Sequence, residues 1–259
     1  MTVWNRTGAR ARALAGSGIA VAESVTVAVA EADIVVTMLF DAASVREVMA
    51  EALPAMRSGA VWAQTSTVGL DGTASLAELA GGHGVEFVDA PVLGTRQPAE
   101  NGELTVLASG PERVRDAVAP VFDAIGARTV WVGERPGDGH RLKLVANSWV
   151  LSVNAATAQA VALAGGLGLD PRQFLELISG GPLDCGYTQL KGKAMIAGEF
   201  PPSFGMDGAV KDATLIRTAM DEAKVDDTLM GALQELYRAA AESGHAEADM
   251  AAVVRAFQP

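Results

Sequence analysis

Along the first half of the chain, short apolar runs alternate with segments whose apolar residues recur at helical spacing. Residues 2–4 read as the end of a strand, and Thr7 can cap a helix to about residue 15. Ser24 can cap another to about residue 31. Residues 33–39, DIVVTML, form a nearly continuous apolar run, the mark of a strand covered on both faces. Asp41 then opens a helix with Val45, Val48 and Met49 on one side. Strands at 60–63, 85–88, 103–108 and 129–132 follow. Helices near 73–80 and from Pro111 to about 125 separate them, Pro111 standing at a first helical position. This alternation predicts a parallel sheet with helices on both faces.

Beyond Gly133 the pattern changes. A long helix is predicted over 139–163, another from Asp170-Pro171 to 178, and others near 187–197, 206–222, 227–242 and 246–257. The stretches 180–186 and 198–205, the latter with Pro201-Pro202, read as loops. The expected organisation is therefore a doubly wound α/β domain over 1–133 and an all-helical domain over 134–259.

Composition narrows the class. The chain has 259 residues, 49% apolar and 20% charged, which excludes a disordered polymer. Its net charge of −11 argues against a general nucleic-acid binder. The single Cys185 excludes a disulfide scaffold, and His83, His140 and His245 have no ligand spacing, so no metal site is expected. The N-terminal residues lack the features of a secretory signal, and a cytoplasmic location is expected. Residues 144–169 carry no charge and are long enough to span a bilayer. They include Asn147, Ser148, Ser152, Asn154, Thr157 and Gln159, so they read as a helix buried on most sides by protein, with no membrane partner. A second domain or a second copy would supply the covering surface.

Four places can carry chemistry. Asn5, Arg6 and Thr7, with Arg10 and Arg12, lie where a strand passes into a helix; in a dinucleotide-binding fold an Arg there accommodates a 2′-phosphate. The plain alternative is a solvated basic helix start. The stretch DAPVLGT, residues 89–95, leaves a strand: Pro91 is expected to stop further ladder pairing, and backbone amides near Gly94 could bind a carboxylate. An ordinary strand exit is the alternative. Lys143 and Asn147 share one helix face at i and i+4 just before the uncharged stretch, where an ammonium can give or take a proton; a snorkelling lysine is the alternative. Lys211-Asp212, on an amphipathic helix, reads by itself as a surface pair.

In order along the chain, VWNRT, TML, STV, DAPVLGT, PAENGELTVLASG, GDGHRLKLVAN, KGK and VKD resemble the β-hydroxyacid dehydrogenase family. That family includes 3-hydroxyisobutyrate dehydrogenase, tartronate semialdehyde reductase and the glyoxylate/succinic semialdehyde reductases. PAENGEL and PPSF look most like the last branch. The resemblance implies a Rossmann-type sheet followed by a 6-phosphogluconate dehydrogenase-like helical domain. It implies Lys143 as the catalytic lysine and Asn147 as its helical partner. It places Asn5, Arg6, Thr7, Leu39, Phe40, Ser44, Thr67 and Lys211 at the cofactor, and Val92, Leu93, Gly94 and Thr95, with Lys143 and Asn147, at the substrate. NADP(H) is the expected cofactor, with NAD(H) as a second possibility, and the expected substrate is a small carboxylate-bearing aldehyde or keto acid. A homodimer or homotetramer is expected. Two features depart from the family. Leu93 stands where Ser is usual, leaving a carboxylate to backbone amides and Thr95. The turn G-x-G-x-x-G is missing: Gly16-Ser17-Gly18 follows a helix, and Gly137-Asp138-Gly139 lacks a third glycine. The expected sheet is thus N-terminally truncated by roughly 30 residues, the size of a βα unit with its loop.

The expected reaction is reversible reduction of the carbonyl to a hydroxy acid with Lys143 as general acid/base. One rival is an imine reductase, for which VWNRT also suits; the retained lysine and DAPVLGT weigh against it. The other is a non-catalytic dimerising remnant, because the glycine loop is absent.

Overall fold

The computed structural model describes residues 1–16 and 18–257. Ser17, within the first Gly-x-Gly, lies outside the described residues, as do Gln258 and Pro259 at the end of the predicted helical domain. The chain divides into two compact units, Met1–Gly94 with Pro98–Lys143, and Leu144–Pro259 with Thr95–Gln97. The division falls within a long helix, after Lys143.

The first unit holds two sheets. Strands β1 (Thr2–Val3) and β2 (Ala20–Val21) pair in parallel. A second sheet has the order β3-β4-β5-β7-β6, with β8 paired to β7. Its strands β3 (Ile34–Thr37), β4 (Val61–Gln64) and β5 (Glu86–Asp89) are parallel, with Val35 opposite Trp62 and Trp62 opposite Phe87. Beyond β5 the sheet is mixed, not parallel throughout. Strand β7 (Leu104–Ser109) is antiparallel to β5 and to β6 (Val92–Leu93), while β8 (Gly126–Gly133) is parallel to β7. Pro91 does not stop the pairing as expected: it lacks an N–H, but its carbonyl accepts the Leu107 amide at 2.8 Å, and the chain resumes pairing one residue later as β6.

The helices of this unit are α1 (Gly8–Arg12), α2 (Val25–Val29), α3 (Ala42–Ala52), α4 (Gly69–Gly82) and α6 (Arg115–Ile125); a short α5 (Arg96–Glu100) straddles the division. Two of the predicted caps form. Ser24 Oγ accepts from the Val27 amide and Asp41 Oδ1 from the Ser44 amide, satisfying helix N–H groups that have no partner within the helix. Thr7 makes no side-chain cap, and α1 ends at Arg12, short of residue 15. Pro111 precedes a 3-10 turn, Glu112–Val114, instead of opening the α-helix directly. Successive residues of β4 feed opposite cores: Trp62 joins Val35, Met49, Leu76 and Phe87, whereas Val61 and Ala63 join Val88, Val106, Val118 and Phe122. That division is why the central strands are apolar on consecutive residues.

The second unit is helical. Helix α7 (Asp138–Gly166) enters it, followed by α8 (Arg172–Ile178), α9 (Gly186–Ala197), α10 (Met206–Glu222) and α11 (Thr228–Ala240). Instead of a last α-helix over 246–257, a π-turn, Ala241–His245, leads to a 3-10 helix, Met250–Phe257. Gly244, at φ 95°, breaks the run. Tyr237 Oη donates to the Leu151 carbonyl, and Asn154 Nδ2 donates to Tyr237 Oη and the Met250 carbonyl, so α7, α11 and the last turn are tied through buried polar groups. Helix α7 is buried along most of its surface within the single chain, Leu144, Leu151, Ala155, Ala158 and Val161 among the covered residues, but Val145, Trp149 and Leu163 form an exposed stripe. No described helix is long and apolar enough to cross a membrane.

Candidate functional site

In the first unit, the ends of the parallel strands carry several of the predicted residues. Leu39 and Phe40 follow β3, and Thr67 follows β4. The Leu39 amide donates to Ser66 Oγ at 2.8 Å and the Thr65 amide to the Thr37 carbonyl at 3.0 Å, so these two exits run side by side. Phe40 and Met38 are more than half exposed, an uncovered apolar edge at the carboxyl ends of parallel strands. Open α/β sheets bind ligands at that edge. Ser44 is half-buried in the first turn of α3 and gives its amide to Asp41. Asn5 Oδ1 accepts the Thr7 amide at 2.9 Å, so its side chain shapes the exit from β1. Arg6 is largely exposed, 4.0 Å from Glu47.

Val92 and Leu93 lie in β6, opposite Val106 and Thr105, with Val92 buried and Leu93 half-buried. Gly94 has φ 122°, and a Cβ there would stand 2.6 Å from Leu104 Cδ2, so only glycine fits the turn out of β6. Thr95 is half-buried and is grouped with the second unit.

Lys143 and Asn147 are both buried, one turn apart on α7. In the second unit Asn147 Nδ2 donates to Asp212 Oδ2 at 2.6 Å, and Lys211 Nζ lies 2.9 Å from Asp212 Oδ1. Asp212 is 2% exposed, so the reading of Lys211-Asp212 as a surface pair is wrong for the aspartate. The structure joins Asn147 and Lys211 through it. The helical period could have flagged Asp212, since Ala209, Ala213 and Ile216 on the same face are buried.

A second cluster was not foreseen. Asp89 and His140 are fully buried in the first unit and paired, Nδ1 to Oδ1, at 2.5 Å. The other oxygen of Asp89 accepts from Ser109 Oγ and from the amides of Gly137 and His140. These contacts cap α7, the helix that carries Lys143.

Among known proteins, residues 1–133 match the NAD binding domain of 6-phosphogluconate dehydrogenase, and residues 137–257 match the NAD-binding domain of NADP-dependent 3-hydroxyisobutyrate dehydrogenase. The chain is 30% identical over 261 aligned positions to the chloroplastic glyoxylate/succinic semialdehyde reductase 2 of Arabidopsis thaliana, covering all of this chain and 73% of that protein. It superposes on the 3-hydroxyisobutyrate dehydrogenase of Mycobacterium tuberculosis, solved with L-serine, with a TM-score of 0.87 at 26% identity, over 99% of this chain and 90% of the other. An imine reductase from Pseudomonas sp. shares the fold more loosely, with a TM-score of 0.61 at 20% identity over 99% and 90%. A Rossmann-type NAD(P) domain joined to a helical dehydrogenase domain, and likeness along the whole of this chain to a glyoxylate/succinic semialdehyde reductase, place the chain in the β-hydroxyacid dehydrogenase family of NAD(P)-dependent oxidoreductases.

Proposed function

We propose that the protein reduces a small carboxylate-bearing aldehyde or keto acid to the hydroxy acid, with NADPH preferred over NADH. The observation that carries this reading is the burial of Lys143 one turn before Asn147, whose amide is fixed by Asp212. Reduction of the carbonyl needs a hydride at carbon, which the dihydronicotinamide supplies when bound, and a proton at oxygen. Lys143 Nζ gives that proton and is recharged from water; in the oxidative direction it takes the proton back. A positioned acid of this kind contributes about 10²–10⁴-fold. Asn147, oriented by Asp212, holds the reacting oxygen. Backbone amides around Gly94, with Thr95, receive the substrate carboxylate, and Leu93 lines it without a hydrogen bond.

The residues present fit the nicotinamide edge and the 2′-phosphate end of a dinucleotide, while this sequence has no G-x-G-x-x-G turn for its pyrophosphate. Met38 and Phe40 leave an apolar edge open, and Arg6 is exposed at the exit of β1 with only a distant acidic neighbour at 4.0 Å. Leu39, Phe40, Ser44 and Thr67 would border the cofactor, Asn5, Arg6 and Thr7 would take a 2′-phosphate, and Lys211 is assigned a further cofactor contact.

The exposed apolar face of α7, with Val145 at 66% and Trp149 at 69%, is assigned to a second copy of the chain in a homodimer or homotetramer. Trp149→Lys is expected to shift the sedimentation coefficient toward the monomer.

The decisive experiment is turnover of glyoxylate and succinic semialdehyde with NADPH by the wild type and Lys143→Ala. The variant is expected to lose at least 10²-fold in kcat. Turnover within a few-fold of wild type would remove Lys143 from the mechanism. Arg6→Ala is expected to weaken NADPH binding while leaving NADH binding nearly unchanged; equal weakening would remove the 2′-phosphate assignment.

A further inference from the structure

Helix α7 starts at Asp138. Gly137, at φ 98°, turns the chain into it, and three amides at its start are met by side chains of neighbouring strands, while the Asp138 amide reaches the Arg135 carbonyl. The amides of Gly137 and His140 reach Asp89 Oδ2 at 3.0 and 3.1 Å, from the end of β5, and the Gly139 amide reaches Ser109 Oγ at 3.0 Å, from the end of β7. Gly139 has no room for a side chain, since a Cβ would overlap the Leu107 carbonyl oxygen and stand 3.2 Å from that of Asp89. The helix start is thus pressed against two strands.

His140 extends this anchor to a third element. Its Nε2 accepts the Val68 amide at 3.0 Å, so Nε2 carries no proton, and Nδ1–H is the donor to Asp89. Both ring nitrogens are used and the ring is fully buried. Val68 directly follows Thr67, and Ser66 holds the Leu39 amide. A single path therefore runs from the exit of β3 through 66–68 and the imidazole to Asp89 and the first turn of α7. Lys143 lies three residues beyond His140 on that helix.

We propose that His140, fixed as its Nδ1–H tautomer between Asp89 and the Val68 amide, is a positioning residue that registers Lys143 against the Thr67 loop. The inference rests on Lys143 being the proton donor. A displacement of about 1 Å at a reacting group costs on the order of 10²-fold in rate, so a loosened helix start is read in kcat more than in substrate binding.

The test uses the full chain with His140→Leu, which removes both contacts, and His140→Asn, whose amide can still donate to Asp89. Phe122→Leu, in the core on one face of the same sheet, serves as a destabilised control. Two readouts are taken: kcat and KM with saturating NADPH, and the rate at which an acetylating N-hydroxysuccinimide ester labels Lys143, followed by peptide mass spectrometry. His140→Leu is expected to lower kcat by roughly 10- to 100-fold with KM changed less than threefold, and to change Lys143 labelling severalfold. His140→Asn should recover part of both, and Phe122→Leu should change neither. A kcat in His140→Leu no lower than in the control, or an absent partial rescue in a folded Asn variant, overturns the positioning role. If the wild type turns over no carbonyl substrate, the reductase reading fails by itself. The labelling comparison then decides the anchor alone, and unchanged labelling overturns it.

Discussion

The buried ion pair of the second unit gives the most quantitative prediction. Asp249 Oδ1 lies 2.6 Å from Lys191 Nζ and accepts the Ala251 amide at 2.9 Å; Oδ2 accepts Ser203 Oγ at 2.5 Å and the Phe204 amide at 3.2 Å. Both side chains are about 5% exposed, so solvent screening is slight. The two partners are unequal. Lys191→Met leaves the carboxylate with a hydroxyl and two amides, so the loss is that of one charge-assisted bond, about 1.5–3 kcal/mol. Asp249→Asn leaves the ammonium buried without a counter-charge, facing at most a neutral amide oxygen, with Ser203 Oγ at 3.5 Å and the Tyr187 ring at 5.5 Å as its other neighbours. It also exchanges a charged acceptor for a neutral amide beneath two backbone donors. Removing one partner of a buried pair in this way costs about 3–5 kcal/mol. The double variant no longer buries a lone ammonium, so its cost should fall short of the sum by about 1–3 kcal/mol. Urea unfolding followed by circular dichroism, with m-values compared, measures all three. Lys191→Met costing as much as Asp249→Asn, or strict additivity, would refute the reasoning. The pH dependence has a definite sign. Burial pushes the Asp249 carboxyl up, but the hydrogen bonds from Lys191, Ser203 and the Ala251 amide outweigh it and hold the carboxyl below its ordinary value. Its stabilisation is therefore complete above about pH 4, the unfolded value, and is lost as pH falls through the folded one. The gap between wild type and Lys191→Met should narrow below about pH 4.

Three further outcomes are expected. Asp212→Ala leaves the buried Asn147 amide without its acceptor and should cost about 1–3 kcal/mol, whereas Asp212→Asn, keeping an acceptor oxygen, should recover part; equal melting temperatures for the two would contradict the Asn147 contact. Gly139→Ala should destabilise by about 1–3 kcal/mol through overlap with the Leu107 carbonyl, while Gly186→Ala, where a Cβ meets open space, should be near neutral; thermal unfolding of both decides. Cys185 caps α9, with the Thr188 hydroxyl and amide holding its thiol below the ordinary value. Its alkylation midpoint should therefore lie below that of free cysteine, and Thr188→Val should raise it; an unmoved midpoint would dissociate the thiol from this cap.

What was legible in the sequence is what local chemistry decides. Ser24 and Asp41 announce their helices because a cap needs only the next three residues. The run around Val35 and Trp62 announces covered strands because both of their faces meet apolar neighbours. Strand direction was not legible. Nothing within residues 90–93 states that the chain will reverse, because the partner of Val92 is Val106, beyond an intervening helix. The site divides in the same way. Lys143 and Asn147 were legible together because the helix itself sets their spacing, but the acceptor of Asn147 lies 65 residues away and that of His140 51 residues away in the opposite direction. Histidines screened for metal-ligand spacing give no sign of a partner that is a single carboxylate.

Three buried aspartates organise the described structure, and their donors separate scaffold from site. Asp89 receives two backbone amides at the start of α7, and Asp249 receives two, from Phe204 just before α10 and from Ala251 at the start of the last 3-10 helix. Removing either acceptor orphans main-chain donors that cannot leave, so these positions pay in folding before anything else. Asp212 differs, because its described partners, Asn147 and Lys211, are both side chains. Its charge can be removed without unpicking a helix end, and what changes is the orientation of an amide and an ammonium assigned here to substrate and cofactor. An acceptor that serves only movable side chains within a helical scaffold gains little for the fold that an apolar residue of similar size would not give. Its presence is better accounted for by the two groups it aims. Asp212→Asn is therefore the substitution in which a loss of turnover reports on the site and not on the fold, provided that its melting temperature stays near that of the wild type.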